Sequence, residues 1–486
     1  MHLLDRIARW GDETPARPAH LSGERVLTYA ELCARSDILA AQLQRESADR
    51  RNPIAVLGHK EPEMLIAFLA TVKSGRPYVP IDNTLPPQRI ARIVAVAGAT
   101  VTLTPASIGT LLAGEPSRPT GNRVEGDAPF YIIFTSGSTG EPKGVVITLA
   151  NLTSFVDWMV NEQRFAEGDE VFLNQAPFSF DLSVMDLYLS LVTGGTLFSI
   201  SKDDIANLKT LYAKLGRSGV TTWVSTPSFA QMCLIERGFN QSMLPRLRRF
   251  LFCGESLAPE TAAQLLDRFP QAEVWNTYGP TEATVATSSI RIDREIIARH
   301  SPLPIGRAMP GTQLLVCDQD GAPLPAGQRG ELVIAGPNVS PGYWHRPELT
   351  GRAFSLRGGV RSYRTGDWAE ERDGLFFCQG RMDGQIKLFG FRIELGDLET
   401  NLRALVEIAD AAVLPVEKAG KVESLAAFVI LAIEKFGSDF EMSVHLKKQL
   451  SERLPAHMLP RKFHFLDAFP MTANGKVDRR ALSEQI

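Results

Sequence analysis

The sequence predicts an α/β protein of two domains: a large N-terminal domain of doubly wound sheets finished by a small β subdomain, and a small mobile C-terminal α+β domain. Three observations carry this reading. At 486 residues the chain exceeds what one hydrophobic core usually serves. Short β-branched and aromatic runs alternate with helical patterns over most of its length, the texture of a largely parallel sheet. From about residue 310 short strands with Gly and Pro turns take over, such as 313–318 and 330–335, and a third texture starts at Gly380.

Taken in order, Leu3, Leu4, Ile7 and Trp10 recur at helical spacing with charges between them, which makes the N-terminus an amphipathic helix. No continuous apolar core follows the basic residues, so a signal peptide is not expected. Thr28 with Glu31 three residues on reads as a capping box. Strands are expected at 53–57 and 78–81, and helices at 61–74 and 86–97. Phe130 to Phe134 and Val145 to Ile147 read as two strands of a hairpin, followed by a helix near 149–160 and a strand at 170–174. Further βα units run through 221–225, 249–253 and 273–276. The boundary is expected at 382–384, giving domains 1–382 and 383–486 joined by a turn, a candidate hinge.

Composition narrows the class. A formal net charge of -3 offers no general attraction to nucleic acid or anionic membrane. The longest apolar run, Met64 to Val72, is too short to cross a bilayer, so membrane insertion is not expected. Five cysteines, Cys33, Cys233, Cys253, Cys317 and Cys378, are scattered without a CxxC pair, which reads as reduced thiols in a cytoplasmic protein.

The chemistry concentrates in a few stretches. Thr135-Ser136-Gly137-Ser138-Thr139-Gly140-Glu141-Pro142-Lys143-Gly144 is not a P-loop, because Lys143 is followed by Gly and the flanks are strands. It still suits phosphate, through backbone N–H groups, hydroxyls and a lysine; a polar hairpin tip that binds nothing has the same composition. Asn276-Thr277-Tyr278-Gly279-Pro280-Thr281-Glu282 turns sharply after a strand and offers a ring face for a base, a hydroxyl for a phosphate and, in Glu282, a hard oxygen ligand for Mg²⁺. Asp367, just after a glycine, can accept hydrogen bonds from vicinal ribose hydroxyls or stand as a solvated turn aspartate. Asn474-Gly475-Lys476-Val477-Asp478-Arg479 is, by itself, a charged turn.

In this order the stretches resemble the motifs of the adenylate-forming superfamily, which contains acyl-CoA ligases, luciferases and peptide-synthetase adenylation domains. The resemblance covers essentially the whole chain and implies ATP with Mg²⁺. It places Thr135, Ser136, Gly137, Ser138, Thr139 and Lys143 on the phosphates, and Asn276, Thr277, Tyr278, Gly279, Pro280 and Thr281 along the nucleotide. Asp367 and Arg381 would hold the ribose, with Cys378, Gln379 and Gly380 lining the site. Lys476 becomes the catalytic lysine, contacting both the substrate carboxylate and the α-phosphate, and Asp383 the hinge.

Asp181 matches the position where amino-acid-activating members keep an aspartate for the substrate ammonium; capping the helix that follows is its other reading. The stretches around Asp181, 225–234, 250–255 and 276–286 closely resemble those of members that activate D-alanine and pass it to the phosphopantetheine thiol of an acyl carrier protein. That implies Cys253 and Val285 as the pocket wall that admits only a methyl. One methylene changes discrimination by only about 1 to 3 kcal/mol, so L-proline, glycine or L-alanine for a natural-product carrier stays open as the alternative.

Overall fold

The computed structural model describes all residues except 47–51, 114–118, 120, 137–140, 383, 389, 419–420, 435 and 472–476. It falls into two compact units: Met1–Asp82 with Ala97–Ile133 and Gly144–Met382, and Asn83–Val96 with Phe134–Lys143 and Asp383–Ile486.

The larger unit contains a nine-stranded sheet in the order Arg307–Ala308, Ser288–Ile292, Glu273–Tyr278, Arg249–Phe252, Thr222–Ser225, Val171–Asn174, Thr196–Ser199, Pro18–Ser22 and Arg25–Thr28. Its centre is parallel and both edges are antiparallel. A six-stranded sheet runs Gly342–Tyr343, Lys143–Thr148, Pro129–Thr135, Tyr78–Asp82, Ile54–Gly58 and Val101–Leu103, so the two strands either side of the Ser/Gly loop are sheet neighbours. The small β subdomain expected after residue 310 is a five-stranded antiparallel sheet of 313–317, 329–335, 354–357, 360–372 and 375–381.

Two helices, Pro62–Lys73 and Leu182–Val192, are buried almost all round, which is what continuous apolar sequence between two sheets requires. One core spans them. Phe68 stacks on Tyr78 with centroids 4.3 Å apart and meets Phe178 edge-on at 5.6 Å, while the Tyr78 and Tyr188 hydroxyls bond at 2.8 Å. The N-terminal helix Leu3–Glu13 buries Leu3, Leu4, Ile7 and Trp10, as its spacing predicts, and Trp10 donates its indole N–H to the Val192 carbonyl at 3.2 Å. Thr28 and Glu31 close the expected capping box. The strand pair Pro18–Ser22 and Arg25–Thr28 was not foreseen: these residues join the far sheet beside Thr196–Ser199, a pairing that no local pattern announces.

The smaller unit holds a hairpin, Gln385–Leu388 with Phe391–Glu394, and a three-stranded sheet of 408–418, 421–431 and 462–465. Helices Leu395–Arg403 and Asp439–Ser451 supply Leu398, Leu402, Met442 and Leu446 to its core.

Candidate active site

Strand Glu273–Tyr278 ends in a reversal that only glycine allows at position 279: a Cβ there would lie 2.6 Å from Ala286 Cα and 2.7 Å from the Val285 carbonyl oxygen. The reversal buries Tyr278, whose hydroxyl donates to Asp367 Oδ2. Burial pushes the phenol well above its ordinary value, so it stays a neutral donor. Asp367 Oδ1 accepts from Arg381 at 2.9 Å, and the same Arg381 nitrogen donates to the Thr365 carbonyl at 2.6 Å. Asp367 and Arg381 are cross-strand partners, so sheet register sets their distance. Tyr278, Asp367 and Arg381 thus converge, as a ribose site needs.

Other expected nucleotide residues have scaffolding bonds. Asn276 donates to the Pro304 carbonyl and Thr277 to the Phe252 carbonyl, both at 2.8 Å. Gln379 donates to Glu370 at 3.1 Å, whereas Cys378 packs against the cluster that contains Tyr278. Pro280 precedes the single helical turn Thr281–Ala283, and Gly380 adopts a positive φ of 91° within its strand.

Asp181 stands at the start of helix Leu182–Val192, and its side chain makes no capping bond. Instead its Oδ2 accepts the Thr281 hydroxyl at 2.6 Å, so Thr281 is turned toward this carboxylate. Cys253 donates its thiol to the Val285 carbonyl at 3.5 Å. Thr284 and Val285 both have left-handed backbones, with φ of 56° and 68°, which costs a β-branched residue on the order of 1–3 kcal/mol. Asn338 holds them there. Thr284 donates to its carbonyl at 2.7 Å, and the Asn338 amide donates to the Ala283 carbonyl at 2.9 Å and to the Thr287 hydroxyl at 3.1 Å. Sequence reasoning missed Asn338, because Gly336-Pro337 before it announces only a loop.

Glu282 is fully buried and accepts from the Tyr343 hydroxyl at 2.8 Å, a second partner that sequence reasoning missed. Among the described residues no three His, Cys, Asp or Glu side chains gather as a metal cage. Glu282 is the carboxylate that would hold Mg²⁺, a hard cation that one or two carboxylates with phosphate oxygens suffice to bind. Tyr343→Phe removes the hydroxyl donor of the buried Glu282 carboxylate, and we expect a stability loss of about 1–3 kcal/mol in denaturant titration; an unchanged midpoint would refute the pairing.

Within the smaller unit, Ser136 donates to the Arg392 carbonyl at 2.9 Å and accepts the Glu394 N–H at 3.2 Å. Lys143 Nζ lies 3.4 Å from Glu394 Oε1, and Thr135 reaches the Lys143 carbonyl at 3.5 Å. Gly137, Ser138, Thr139, Asp383 and Lys476 lie outside the described residues. Met471 and Val477 bridge, and Asp478 caps helix Arg479–Ser483, so both sides of the Lys476 segment are anchored.

The AMP-binding enzyme family matches residues 7–344, and the AMP-binding enzyme C-terminal domain matches residues 397–476. A D-alanine--D-alanyl carrier protein ligase of Bacillus anthracis is 46% identical over all of both chains, as is one of Bacillus cereus. A Vibrio cholerae adenylation domain in complex with glycyl-adenosine-5'-phosphate shares the fold with a TM-score of 0.84 at 22% identity, covering 99% of this chain and 97% of that one. A peptide-synthetase protein containing adenylation and carrier domains aligns with a TM-score of 0.83 at 26% identity, over 100% of this chain and 84% of its own. With matches of this extent, the chain belongs to the family of AMP-binding enzymes.

Proposed function

We propose that the protein activates D-alanine with ATP as an aminoacyl-adenylate and transfers it to the phosphopantetheine thiol of a carrier protein. The observation that carries this reading is Asp181: a buried carboxylate that does not cap its helix and is oriented by Thr281. A carboxylate so placed suits a cation, and a substrate ammonium is one. Cys253, whose thiol meets the Val285 carbonyl, and Val285 with its left-handed backbone would form the wall facing the α-substituent. Full-length likeness to ligases named for D-alanine supports the choice of amino acid.

The substrate carboxylate oxygen attacks the α-phosphorus of ATP in line, the bond to pyrophosphate breaks, and pyrophosphate leaves. Asp367, Arg381 and Tyr278 hold the ribose, and Thr135, Ser136, Gly137, Ser138, Thr139 and Lys143 the phosphates. Lys476 offsets negative charge gathering on the reacting carboxylate and α-phosphate. Glu282 would hold Mg²⁺, which when bound would supply positive charge to the phosphates. In the second half-reaction the carrier thiol loses its proton to solvent, its sulfur bonds to the acyl carbon, and AMP leaves. Domains 1–382 and 383–486 turn about Asp383 between the halves, withdrawing Lys476. The five cysteines form no disulfide, which fits a reducing, cytoplasmic setting; among the described residues, no helix is long and apolar enough to cross a membrane.

ATP–pyrophosphate exchange with D-alanine, L-alanine, glycine, D-serine and L-proline tests the reading. We expect D-alanine to exceed the others by about tenfold or more, the scale that one well-fitted methyl allows. Preference for another amino acid refutes the D-alanine assignment, and exchange with none refutes amino-acid activation.

A further inference from the structure

We propose that Lys60 is a positioning residue for the amino-acid site, tying down the root of the segment that ends in Asp181. Lys60 follows strand Ile54–Gly58 of the six-stranded sheet and is buried, yet its ammonium reaches the end of strand Val171–Asn174 in the other sheet. It donates to Asn174 Oδ1 and to the Ala176 carbonyl, and the carbonyls of Asn174 and Gln175 lie 3.4 Å away. The ammonium also stands 5.1 Å from the centre of the Phe178 ring.

Every one of these contacts falls within residues 174–178, and the chain then turns through Phe180 N–H to the Pro177 carbonyl and enters the helix after Asp181. The anchor is itself braced. Asn174 donates to Asp186 at 2.9 Å and to Ala176 at 3.1 Å, and Ser199 donates to Asn174 at 2.8 Å with His20 behind it at 2.8 Å. A lysine enclosed by carbonyl oxygens acts through its three N–H donors, since a neutral amine would turn its lone pair toward one of them.

Protonation therefore sets how firmly the segment is held. Burial brings the Lys60 pKa down to about 7, opposed by Asp186 from the following helix and Asp82 from the neighbouring strand. Burial first, and Lys60 itself second, keep His20 neutral, with a value of about 3. His59 is the adjacent titratable group, paired with Asp82 at 2.7 Å. As pH rises through about 7, Lys60 loses the proton that makes the anchor, so the KM for the amino acid should rise while that for ATP stays nearly constant.

This inference rests on amino-acid activation at Asp181. The experiment is pyrophosphate exchange by the full-length enzyme from pH 6 to 8.5, with the preferred amino acid and with ATP varied in turn, for wild type, Lys60→Met and His59→Gln. We expect the wild-type amino-acid KM to rise about fivefold across this range, a profile that His59→Gln keeps. Lys60→Met should show a KM about tenfold above the wild-type value at pH 6, without pH dependence, and an ATP KM within about twofold of wild type. A wild-type-like KM in Lys60→Met, equal changes in both KM values, or a flat wild-type profile would each overturn the role. Should Lys60→Met fail to fold, the wild-type and His59→Gln profiles decide alone: a rise in both supports the anchor, and its loss in His59→Gln rejects it. A wild-type enzyme that exchanges with no amino acid overturns the proposed function and this inference with it, whereas an active enzyme with a flat profile overturns only the inference.

Discussion

Asp181→Asn is expected to lower kcat/KM for the amino acid by about 30- to 1000-fold, the 2–4 kcal/mol that separates a paired from an unpaired buried charge. The substitution keeps shape and the bond from Thr281 but removes the negative charge that would meet the substrate ammonium. Since Asp181 makes no capping bond, helix Leu182–Val192 should not lose its start, and thermal stability should change little. The ATP KM should stay within about threefold, because the cluster of Tyr278, Asp367 and Arg381 proposed to hold the ribose does not include Asp181. Steady-state exchange kinetics read both constants. A loss of less than about threefold for the amino acid would remove Asp181 from the substrate site.

Lys476→Ala should reduce the rate of adenylate formation by about 100- to 1000-fold while leaving ATP affinity within a few fold. That is the typical cost of deleting one group aimed at charge that develops only in the transition state. The flanking residues are held without Lys476: Met471 and Val477 bridge, and Asp478 caps the next helix through the Arg480 and Ala481 N–H groups. Arg479 fixes the same stretch by donating to Glu399 at 2.6 Å and to the Val413 carbonyl at 2.8 Å. Single-turnover adenylation measured beside equilibrium ATP binding separates the two effects. Normal adenylation by the alanine variant would end the assignment of Lys476, and a parallel loss of ATP binding would make it a nucleotide anchor instead.

Much of the fold was legible because its patterns are local. The burial of Leu3, Leu4, Ile7 and Trp10 follows from 3.6-residue spacing, and the cap at Thr28 from two residues three apart. The strands around the Ser/Gly loop follow from β-branched and aromatic runs, and their adjacency from the short connection between them. The resemblance of the motifs to a family placed Tyr278, Asp367 and Arg381 in one site, and the Tyr278 hydroxyl, at the end of a strand of the nine-stranded sheet, meets the Asp367–Arg381 pair of the five-stranded sheet.

What the sequence determined by itself, then, was the alternation of elements, the change to short strands after residue 310, and the motifs with their order along the chain. Tertiary structure alone decided the partners. The Thr281 hydroxyl turns to Asp181, a hundred residues earlier in the chain, because a reversal at Gly279 points it there. Val285 adopts a backbone it would not choose, because Asn338 holds the neighbouring Thr284. Residues 18–28 join the far sheet, and Lys60 crosses to the other sheet. Each of these choices depends on which buried donor meets which buried acceptor once two sheets have closed on a common core, and local sequence encodes the groups but not their meeting.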